Sequence, residues 1–473
     1  MAIVGRTAEI AELESCYESD QSEFVAVYGR RRVGKTFLVR ETFHSRISFQ
    51  VTGIANSTIR TQLNRFSHAL QQHGGPSSQP HDWLEAFDLL SDHLSTLPGK
   101  KVVFLDELPW LDTPRSGFLP ALEWFWNGWA SNRNDILLIV CGSATSWVVK
   151  KLFRNTGGLH NRVTRQIRLL PFSLAECEAY YSDRKISMSV ADMLESYMVF
   201  GGIPYYLSLF SRSLSLTQNI DRLCFTETGP LRDEFDNLYH SLFRNADRHI
   251  AVVKALASKT KGLTRTEVGS LSKVGEGGAL TRALDDLRQS GFVRAYQSYG
   301  RNSRGTLYQL IDFFTLFSLR FLEAPLHQGQ WESFMPTPAH SAWAGNAFEQ
   351  VCQWHLPQLK AALGISGVAT TVSAWRSQTW EPGAQVDLVI DRADRVINLC
   401  EMKFSIGPFL ITKNTAENLR NKRAAFIGET HTRKAVQTTL VTPFGVARNK
   451  YSDEISSQIT AEDLFQPTRT SWR

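Results

Sequence analysis

Residues 24–36 (FVAVYGRRRVGKT) decide the fold of the first part of the chain. The apolar run 24–28 is typical of a buried strand, and the residues after position 36 continue with helical spacing. Between them, the pattern G-x-x-x-x-G-K-T fills positions 29–36. Its glycines let backbone N–H groups surround a phosphate at a helix N-terminus, where the helix dipole favours an anion. The segment therefore predicts a strand–loop–helix phosphate site rather than a surface turn.

This pattern indicates an ATP site that uses Mg²⁺. Lys35 is expected to reach the β- and γ-phosphates, and the Thr36 hydroxyl is expected to bind Mg²⁺. The nucleotide contacts that we predict are the loop and the first residues of its helix: Gly29, Arg30, Arg31, Arg32, Val33, Gly34, Lys35, Thr36 and Phe37.

Two further apolar runs end in polar residues that suit the same site. Residues 102–107 (VVFLDE) predict a buried strand, with Asp106 holding Mg²⁺ and Glu107 orienting or deprotonating the attacking water. Residues 135–143 predict another strand, with Ser143 at its tip to sense the γ-phosphate. The alternative for Ser143 is a simple cap of the helix that follows.

The chain resembles an AAA-type ATPase, specifically the archaeal-type ATPases close to the STAND branch. Besides the two motifs, the resemblance rests on VGR at 4–6 with Glu9, on LHNR at 159–162 running into LPF at 170–172, and on GGIPYY at 201–206. It implies that the first segment lies by the adenine. It also implies that Pro204 begins a helical lid facing the nucleotide.

The same resemblance implies an arginine finger that acts on a neighbouring subunit, and hence a homo-oligomer. Arg162 is the residue that matches, and it would supply positive charge to the γ-phosphate. Arg165 and Arg168 are nearby rivals, and a solvated basic loop is the plain alternative. No second sensor arginine is evident in the lid.

Composition limits the class of protein. A chain of 473 residues, 42% hydrophobic and 21% charged, predicts several globular domains. No apolar run approaches the ~20 residues needed to cross a bilayer, and no export leader opens the chain, so a cytoplasmic protein without membrane contact is expected. The cysteines lack zinc spacing and predict buried, reduced thiols: Cys16, Cys141, Cys177, Cys224, Cys352 and Cys400.

The middle of the chain combines basic charge with a helical pattern. Residues 244–304 hold twelve Lys/Arg and five Asp/Glu, a surplus of seven that suits phosphate contact. Three helical patterns are followed by two β-type runs, and Thr264 with Glu267 predicts a capping box at the second helix.

This middle segment resembles a winged helix-turn-helix. The resemblance implies that Arg282 and Arg288 project from the recognition helix and that Arg301 and Arg304 project from the wing, as contacts to DNA. The alternative is a protein–protein spacer, which such domains also form in STAND-like ATPases.

A second chemical pattern lies near the end of the chain. Asp387 lies in a predicted strand, 392–395 predicts a hairpin turn, and Glu401 and Lys403 follow on the return strand. Side chains at i and i+2 share a strand face, so Glu401 and Lys403 should point the same way, beside Asp387. Two carboxylates form a hard oxygen site for Mg²⁺, and Lys403 would activate or position water.

This arrangement resembles the PD-(D/E)XK nucleases over roughly residues 340–445, and Glu349 matches their additional helix acid. The resemblance implies Mg²⁺ ligands at Glu349, Asp387 and Glu401. The alternatives are an inactive nuclease-like fold or a plain salt bridge between Glu401 and Lys403.

The predicted fold is α/β: a P-loop NTPase of AAA type, a helical lid, a winged helix-turn-helix and an α/β restriction-endonuclease-like domain. The corresponding segments are residues 1–170, 171–240, 241–324 and 340–473, with 325–339 as a linker without helical period. The predicted function is an ATP-controlled, Mg²⁺-dependent endonuclease that acts on DNA. The alternative is an ATP-driven regulator that binds DNA or protein and whose last domain is a non-cutting scaffold.

Overall fold

The computed structural model describes residues 3–154, 157–243, 245–300, 306–323, 330–335 and 337–467. They divide into two compact units, Met1–Pro171 and Phe172–Arg473. The predicted wing residues Arg301 and Arg304 lie outside the described residues.

The first unit is built on a parallel sheet with the strand order β2-β3-β4-β1-β5. Its strands are β1 (Glu23–Tyr28), β2 (Ile47–Thr52), β3 (Lys101–Asp106), β4 (Ile136–Gly142) and β5 (Arg165–Arg168). Its helices are α1 (Thr7–Glu18), α2 (Lys35–Phe43), α3 (Ile59–Gln72), α4 (Trp83–Thr96), α5 (Leu108–Leu111), α6 (Phe118–Trp124) and α7 (Thr145–Val148).

The central strands of this sheet are covered on both faces, which explains their continuous apolar runs. Every residue of β3 and β4 is buried. Because parallel strands have their carboxyl ends at one edge, the loop after β1, the end of β3 and the tip of β4 meet there. The α/β fold with a parallel sheet that was predicted for this part of the chain is confirmed.

The second unit begins with a run of helices. These are α8 (Leu174–Asp183), α9 (Val190–Phe200), α10 (Pro204–Ser208), α11 (Leu216–Ile220) and α12 (Glu234–Leu242). Between α9 and α10, Gly202 has φ +65°, and a Cβ there would lie 2.3 Å from the Phe172 carbonyl oxygen. The GG pair before Pro204 is therefore required by backbone shape.

The middle of this unit alternates short helices with a small sheet. Its elements are α13 (Ala246–Ala257), β6 (Leu263–Thr264), α14 (Arg265–Ser272), α15 (Gly278–Gln289), β7 (Val293–Tyr296) and β8 (Leu307–Leu310). The sheet is antiparallel in the order β6-β8-β7. The predicted capping box of Thr264 and Glu267 is present at the start of α14.

The segment predicted as a linker contains a helix. The next helices are α16 (Phe313–Phe317), α17 (Gln330–Phe334), α18 (Pro338–Trp354) and α19 (Leu356–Ala362). Within α17, Trp331 is fully buried, with its ring centroid 5.2 Å from that of Phe317 and 5.5 Å from that of Trp343. The sequence shows no helical period here because α17 has only five residues, and the aromatic packing of Trp331 accompanies it.

The last part of the chain forms a mixed sheet with the order β15-β13-β11-β10-β9. Its elements are β9 (Thr370–Arg376), β10 (Gln385–Arg392), β11 (Val396–Met402), β12 (Phe409–Leu410), α20 (Lys413–Thr430), β13 (Ala435–Val441), β14 (Val446–Ala447), β15 (Ser457–Ile459) and α21 (Ala461–Leu464). β10 and β11 form the predicted antiparallel hairpin, and β11, β13 and β15 are parallel. β10 carries a bulge against β9, because Val386 pairs with Trp375 whereas Val389 pairs with Ser373.

Two general expectations can be compared with the described part of the chain. All six cysteines are buried. None of its helices is both long enough and apolar enough to span a membrane.

Candidate functional site

The loop after β1 needs glycine at both ends. Gly29 has φ +143°, and a Cβ there would lie 2.3 Å from the Leu169 carbonyl oxygen. Gly34 has φ +91° and precedes the first residue of α2. A side chain at Gly29 would collide with that carbonyl, and the positive φ at both positions is one that L side chains rarely adopt, so the turn favours glycine at each. The structure therefore forms a phosphate-sized loop at a helix N-terminus.

Lys35 lies inside this loop. Its Nζ donates to the carbonyl oxygens of Gly29 at 3.0 Å and of Arg30 at 2.8 Å. Burial lowers the pKa of Lys35, and nearby Glu107 opposes that shift. Its closest partners are neutral carbonyls, so the loop backbone rather than a carboxylate holds the Lys35 amine in place.

Thr36 and Asp106 meet across the sheet edge. The Thr36 hydroxyl lies 3.1 and 3.0 Å from the two carboxylate oxygens of Asp106, and the Thr52 hydroxyl lies 3.4 Å from one of them. Burial, with the adjacent Glu107, raises the pKa of Asp106. A hydroxyl and a carboxylate are oxygen donors of the kind that Mg²⁺ prefers, so the two predicted ligands fit this ion.

Glu107 and Ser143 are bonded to each other. The Ser143 hydroxyl donates to Glu107 Oε1 at 2.5 Å, and the Ser143 backbone N–H donates to Oε2 at 3.3 Å. The helix after β4 is capped at Ala144 without any side-chain hydrogen bond. The alternative that Ser143 is only a helix cap is therefore excluded, and its side chain belongs to the acid pair.

The three candidate finger arginines differ in their surroundings. Arg162 is exposed in a turn just before β5. Arg165 is also exposed, but its Nε lies 3.0 Å from Glu12 Oε1. Arg168 is exposed at the end of β5. The ion pair of Arg165 makes it a weaker candidate than Arg162.

The other predicted nucleotide contacts lie either around the phosphate loop or at the start of α10. Arg31, Arg32 and Val33 lie in the loop, and Phe37 is 39% exposed on α2. Pro204 begins α10 in the second unit. Sequence reasoning did not anticipate that Arg6 is buried in the first unit, where its guanidinium donates to the carbonyl oxygens of Leu170 at 2.7 Å and of Val33 at 3.5 Å. Arg6 thereby supports the back of the loop.

A second cluster of charged residues lies on β10, β11 and α18. The pairing of Leu388 with Cys400 places Asp387 and Glu401 one residue further along, side by side on adjacent strands. Glu349 reaches the same place from α18, since one lysine contacts both it and Asp387. We call Glu349, Asp387 and Glu401 the carboxylate cluster.

The lysine that joins two of these acids was not predicted. Lys261, from the loop between α13 and β6, places its Nζ 2.5 Å from Glu349 Oε2 and 2.7 Å from Asp387 Oδ2. Gln385 Nε2 donates to the other oxygen of Asp387 at 2.7 Å. Lys261 is 126 residues from Asp387 in sequence, so no local pattern indicates the contact.

Burial and Lys261 affect the two acids differently. Burial, reinforced by the charge of Asp387, raises the pKa of Glu349 to about 7. Burial also opposes ionisation of Asp387, but Lys261 and Gln385 outweigh it and lower the pKa of that carboxyl. The two carboxylates in turn outweigh the effect of burial on Lys261 and raise its pKa. The lysine and Asp387 thus form a stable ion pair inside the cluster.

Glu401 is held by two other lysines. Lys403 Nζ lies 2.9 Å from Glu401 Oε1, which confirms that these two side chains share a strand face. Lys422, on α20, donates to Glu401 Oε2 at 2.6 Å. Sequence reasoning missed Lys422, because its helix position carries no pattern that refers to the strand.

The carboxylate cluster does not fit a metal ion in the arrangement described. Carboxylate oxygens suit Mg²⁺, but ammonium groups contact all three acids. Across the described ranges, no group of three or more His, Cys, Asp or Glu side chains is arranged to hold a metal ion. The salt bridge of Glu401 with Lys403, one of the sequence-based alternatives, is present.

Comparison with known proteins agrees with the geometry of the first unit. Residues 3–210 match the family of an ATPase domain predominantly from Archaea. The N-terminal part of the chain is an archaeal-type P-loop ATPase domain. The matched range begins before the loop that holds Lys35 and ends just after α10.

Relatives and solved structures are similar over more of the chain than this ATPase domain. An uncharacterized protein of Methanocaldococcus jannaschii is 22% identical over 395 residues, which cover 82% of this chain and 83% of that protein. A Walker-type ATPase of Pyrococcus abyssi is 17% identical, with a TM-score of 0.49 over 67% of this chain and 96% of its own. The Aeropyrum pernix ORC2 protein, solved as ADPNP–ADP complexes, is 16% identical, with a TM-score of 0.42 over 70% of this chain and 95% of its own.

Beyond the ATPase domain, the basic middle segment exposes the arginines predicted to contact DNA. Arg282 and Arg288 are both exposed on α15. Arg288 also lies 3.4 Å from Asp285 on the same helix. Both guanidinium groups therefore face solvent, and one of them has an exposed carboxylate neighbour that weakens its net charge only slightly.

Proposed function

We propose that the chain binds and hydrolyses ATP in its N-terminal domain and thereby controls a Mg²⁺-dependent endonuclease domain that acts on DNA. The observation that carries the ATP part is the meeting of Thr36 with Asp106 and of Glu107 with Ser143 at one sheet edge. These contacts bring together residues from three separate stretches of sequence around the loop that holds Lys35.

In this proposal each residue at the sheet edge has one task. Lys35 binds the β- and γ-phosphates, and Thr36 with Asp106 holds Mg²⁺, which neutralises charge on the phosphates. Glu107 orients the attacking water and accepts its proton, and Ser143 senses the γ-phosphate. Their mutual hydrogen bond keeps Glu107 fixed in place.

Arg162 is the proposed arginine finger, acting on the ATP of a neighbouring copy of the chain. Its exposed position before β5 supports this role, whereas Arg165 is paired with Glu12. A finger supplied in this way requires a homo-oligomer. Pro204 and the helices after it are proposed as the lid of the nucleotide site, which rests on the family resemblance.

DNA is the proposed partner of the segment 241–324, acting as a winged helix-turn-helix. The proposal is supported by three helices with an antiparallel hairpin and by the exposure of Arg282 and Arg288 on α15. The surplus of seven basic residues in 244–304 adds a sequence-independent attraction to phosphates.

The endonuclease role is proposed for the carboxylate cluster with Lys403. Asp387 and Glu401 lie side by side on adjacent strands, and Lys403 lies beside Glu401. Because Lys261 holds two of the acids in the arrangement described, the cutting role belongs to a state in which Lys261 has left. In that state Mg²⁺ would supply charge stabilisation at the phosphodiester.

Plasmid cleavage by the purified full chain tests the proposal. Supercoiled, linear duplex and single-stranded DNA are each incubated with and without Mg²⁺ and with and without ATP. We expect cleavage that needs Mg²⁺, changes with ATP and falls about 10²-fold in Asp387→Ala. Absence of cleavage on every substrate would overturn the endonuclease role.

One observation favours a second candidate function. Ammonium groups contact each acid of the carboxylate cluster, as expected of a charge-balanced scaffold. In this alternative the chain is an ATP-driven switch that binds DNA or protein, and its last domain does not cut. ATP hydrolysis together with DNA binding but without cleavage would identify it.

A further inference from the structure

We propose that Lys261 is a built-in cation that closes the carboxylate cluster, so that a divalent metal ion binds Glu349 and Asp387 only after Lys261 withdraws. This inference rests on the endonuclease function proposed for the cluster and specifies how that site is regulated. Lys261, in the loop before β6, contacts Glu349 on α18 and Asp387 on β10.

The contact is competitive because both cations need the same atoms. Lys261 Nζ lies 2.5 Å from Glu349 Oε2 and 2.7 Å from Asp387 Oδ2. Divalent metals take carboxylate oxygens at roughly 2.0–2.6 Å, so the ion and the ammonium require nearly the same position. The two cannot occupy the cluster together.

A cation at this position stabilises the ionised forms of Glu349 and Asp387. Glu349 and Asp387 are both largely buried, with side chains 20% and 19% exposed. Two neighbouring carboxylates that are removed from water repel each other and lose hydration, and a shared positive charge offsets both effects. In a metal site the ion would supply that charge, and in this structure Lys261 supplies it.

The loop that carries Lys261 is fixed by the β7–β8 hairpin. The Tyr296 hydroxyl, on β7, donates to the Lys261 carbonyl oxygen at 2.5 Å. Gln309 Nε2, on β8, donates to the Thr260 carbonyl oxygen at 2.5 Å, and Arg294 Nε donates to Gln309 Oε1 at 2.8 Å. These bonds hold the backbone on either side of the ammonium, so the hairpin helps to keep Lys261 Nζ at the two acids.

If a shift of the hairpin withdraws Lys261, metal binding and hairpin position are thermodynamically coupled. A ligand that shifts the hairpin away from the cluster would favour the metal, and a bound metal would favour the shifted hairpin by the same factor. The segment proposed to bind DNA thus supplies the cation that occupies the proposed cutting site.

Mn²⁺ binding to the full chain without nucleotide measures the competition directly. An Asp106→Asn background removes the metal ligand of the ATP site, and calorimetry or the electron paramagnetic resonance of free Mn²⁺ gives the affinity. We expect Lys261→Met to bind Mn²⁺ about 10- to 100-fold more tightly than its parent. Adding Asp387→Asn should remove the gain.

A neighbouring lysine provides the matched control. Lys259 lies in the same loop and pairs with Glu267 at 3.1 Å, outside the cluster. Lys259→Met should leave Mn²⁺ affinity unchanged. Equal Mn²⁺ affinities for folded Lys261→Met and its parent would overturn the proposal, as would an equal gain in Lys259→Met.

Labelling of the unaltered chain keeps the proposal testable if Lys261→Met does not fold. Acetic anhydride modifies accessible lysines, and mass spectrometry gives the rate at each position. With saturating Mn²⁺ the rate at Lys261 should rise about 10-fold, while that at Lys259 stays constant. An unchanged rate at Lys261 would contradict displacement.

Failure of the regulation and failure of the endonuclease function remain distinguishable. Tighter Mn²⁺ binding by Lys261→Met without DNA cleavage supports the cation role of Lys261 and overturns the cutting role of the cluster. DNA cleavage with unchanged Mn²⁺ affinity supports the cutting role and overturns the cation role of Lys261.

Discussion

The phosphate-loop site and the carboxylate cluster each contain a partly or fully buried lysine, but the two lysines have opposite electrostatic roles. Lys35 donates to the neutral carbonyls of Gly29 and Arg30, so its charge remains available for an anion. Lys261 is neutralised by Glu349 and Asp387. The comparison teaches that the partner of a buried lysine, more than its burial, decides whether a site is ready for its ligand.

The largest effect is expected on ATP affinity when Lys35 is replaced. Lys35→Ala removes the ammonium at the phosphate loop and should lower ATP affinity about 10³-fold, as measured with a fluorescent ATP analogue. Lys151→Ala, an exposed lysine of the same unit, is the control and should bind ATP normally. Equal ATP affinities for Lys35→Ala and the unaltered chain would contradict the role of Lys35 in binding phosphate.

Glu107 separates ATP binding from ATP hydrolysis. Glu107→Gln should retain binding, because Lys35, Thr36 and Asp106 are unchanged, but it should hydrolyse ATP about 10²-fold more slowly since the water loses its base. Ser143→Ala removes the hydrogen bond to Glu107 and should slow hydrolysis less. A steady-state phosphate-release assay distinguishes these outcomes, and equal rates in all three proteins would refute the role of Glu107.

The carboxylate cluster should affect a different reaction. Asp387→Ala and Glu401→Ala should each lower DNA cleavage about 10²-fold while leaving ATP hydrolysis unchanged, and Lys403→Ala should have a smaller effect. Asp394→Ala, in the exposed turn after β10, is the control. Chelation cannot assign the site, because both reactions need a divalent ion. Cleavage by Asp387→Ala at the rate of the unaltered chain would show that the cutting groups lie elsewhere.

The smallest effect is expected on DNA affinity. Reversing Arg282 and Arg288 to Glu should weaken binding about 10-fold at low salt and reduce the salt dependence by about two counterions. Arg212→Glu, an exposed arginine of the helical segment before it, is the control. Fluorescence anisotropy over a salt series measures both quantities. No binding at low salt, or no change on reversal, would make this segment a protein spacer.

The sequence predicted the strand, the loop and the helix around Lys35 because these elements follow one another along the chain. The loop, its strand and its helix are contiguous at 24–43, and Asp106 could be recognised because it ends an apolar strand. The cation of the carboxylate cluster could not be predicted, since Lys261 lies 88 residues from Glu349 and 126 from Asp387. Helix α17 carries no helical period in the sequence, and its Trp331 packs against Phe317 and Trp343 in neighbouring helices.

The bulge in β10 adds one residue next to Asp387 of the carboxylate cluster, so the number of residues there cannot change without moving side chains to the other face. A strand assigns its side chains to faces by parity, odd positions to one face and even positions to the other. At the bulge, three steps from Val386 to Val389 match two steps on β9, whereas pairing with β11 stays regular. Deleting Leu388 would restore parity with β9 but would place Asp387 opposite Cys400, on the face away from Glu401. A substitution at the cluster changes one side chain, whereas a deletion in β10 would move every residue on one side of it to the opposite face of the sheet.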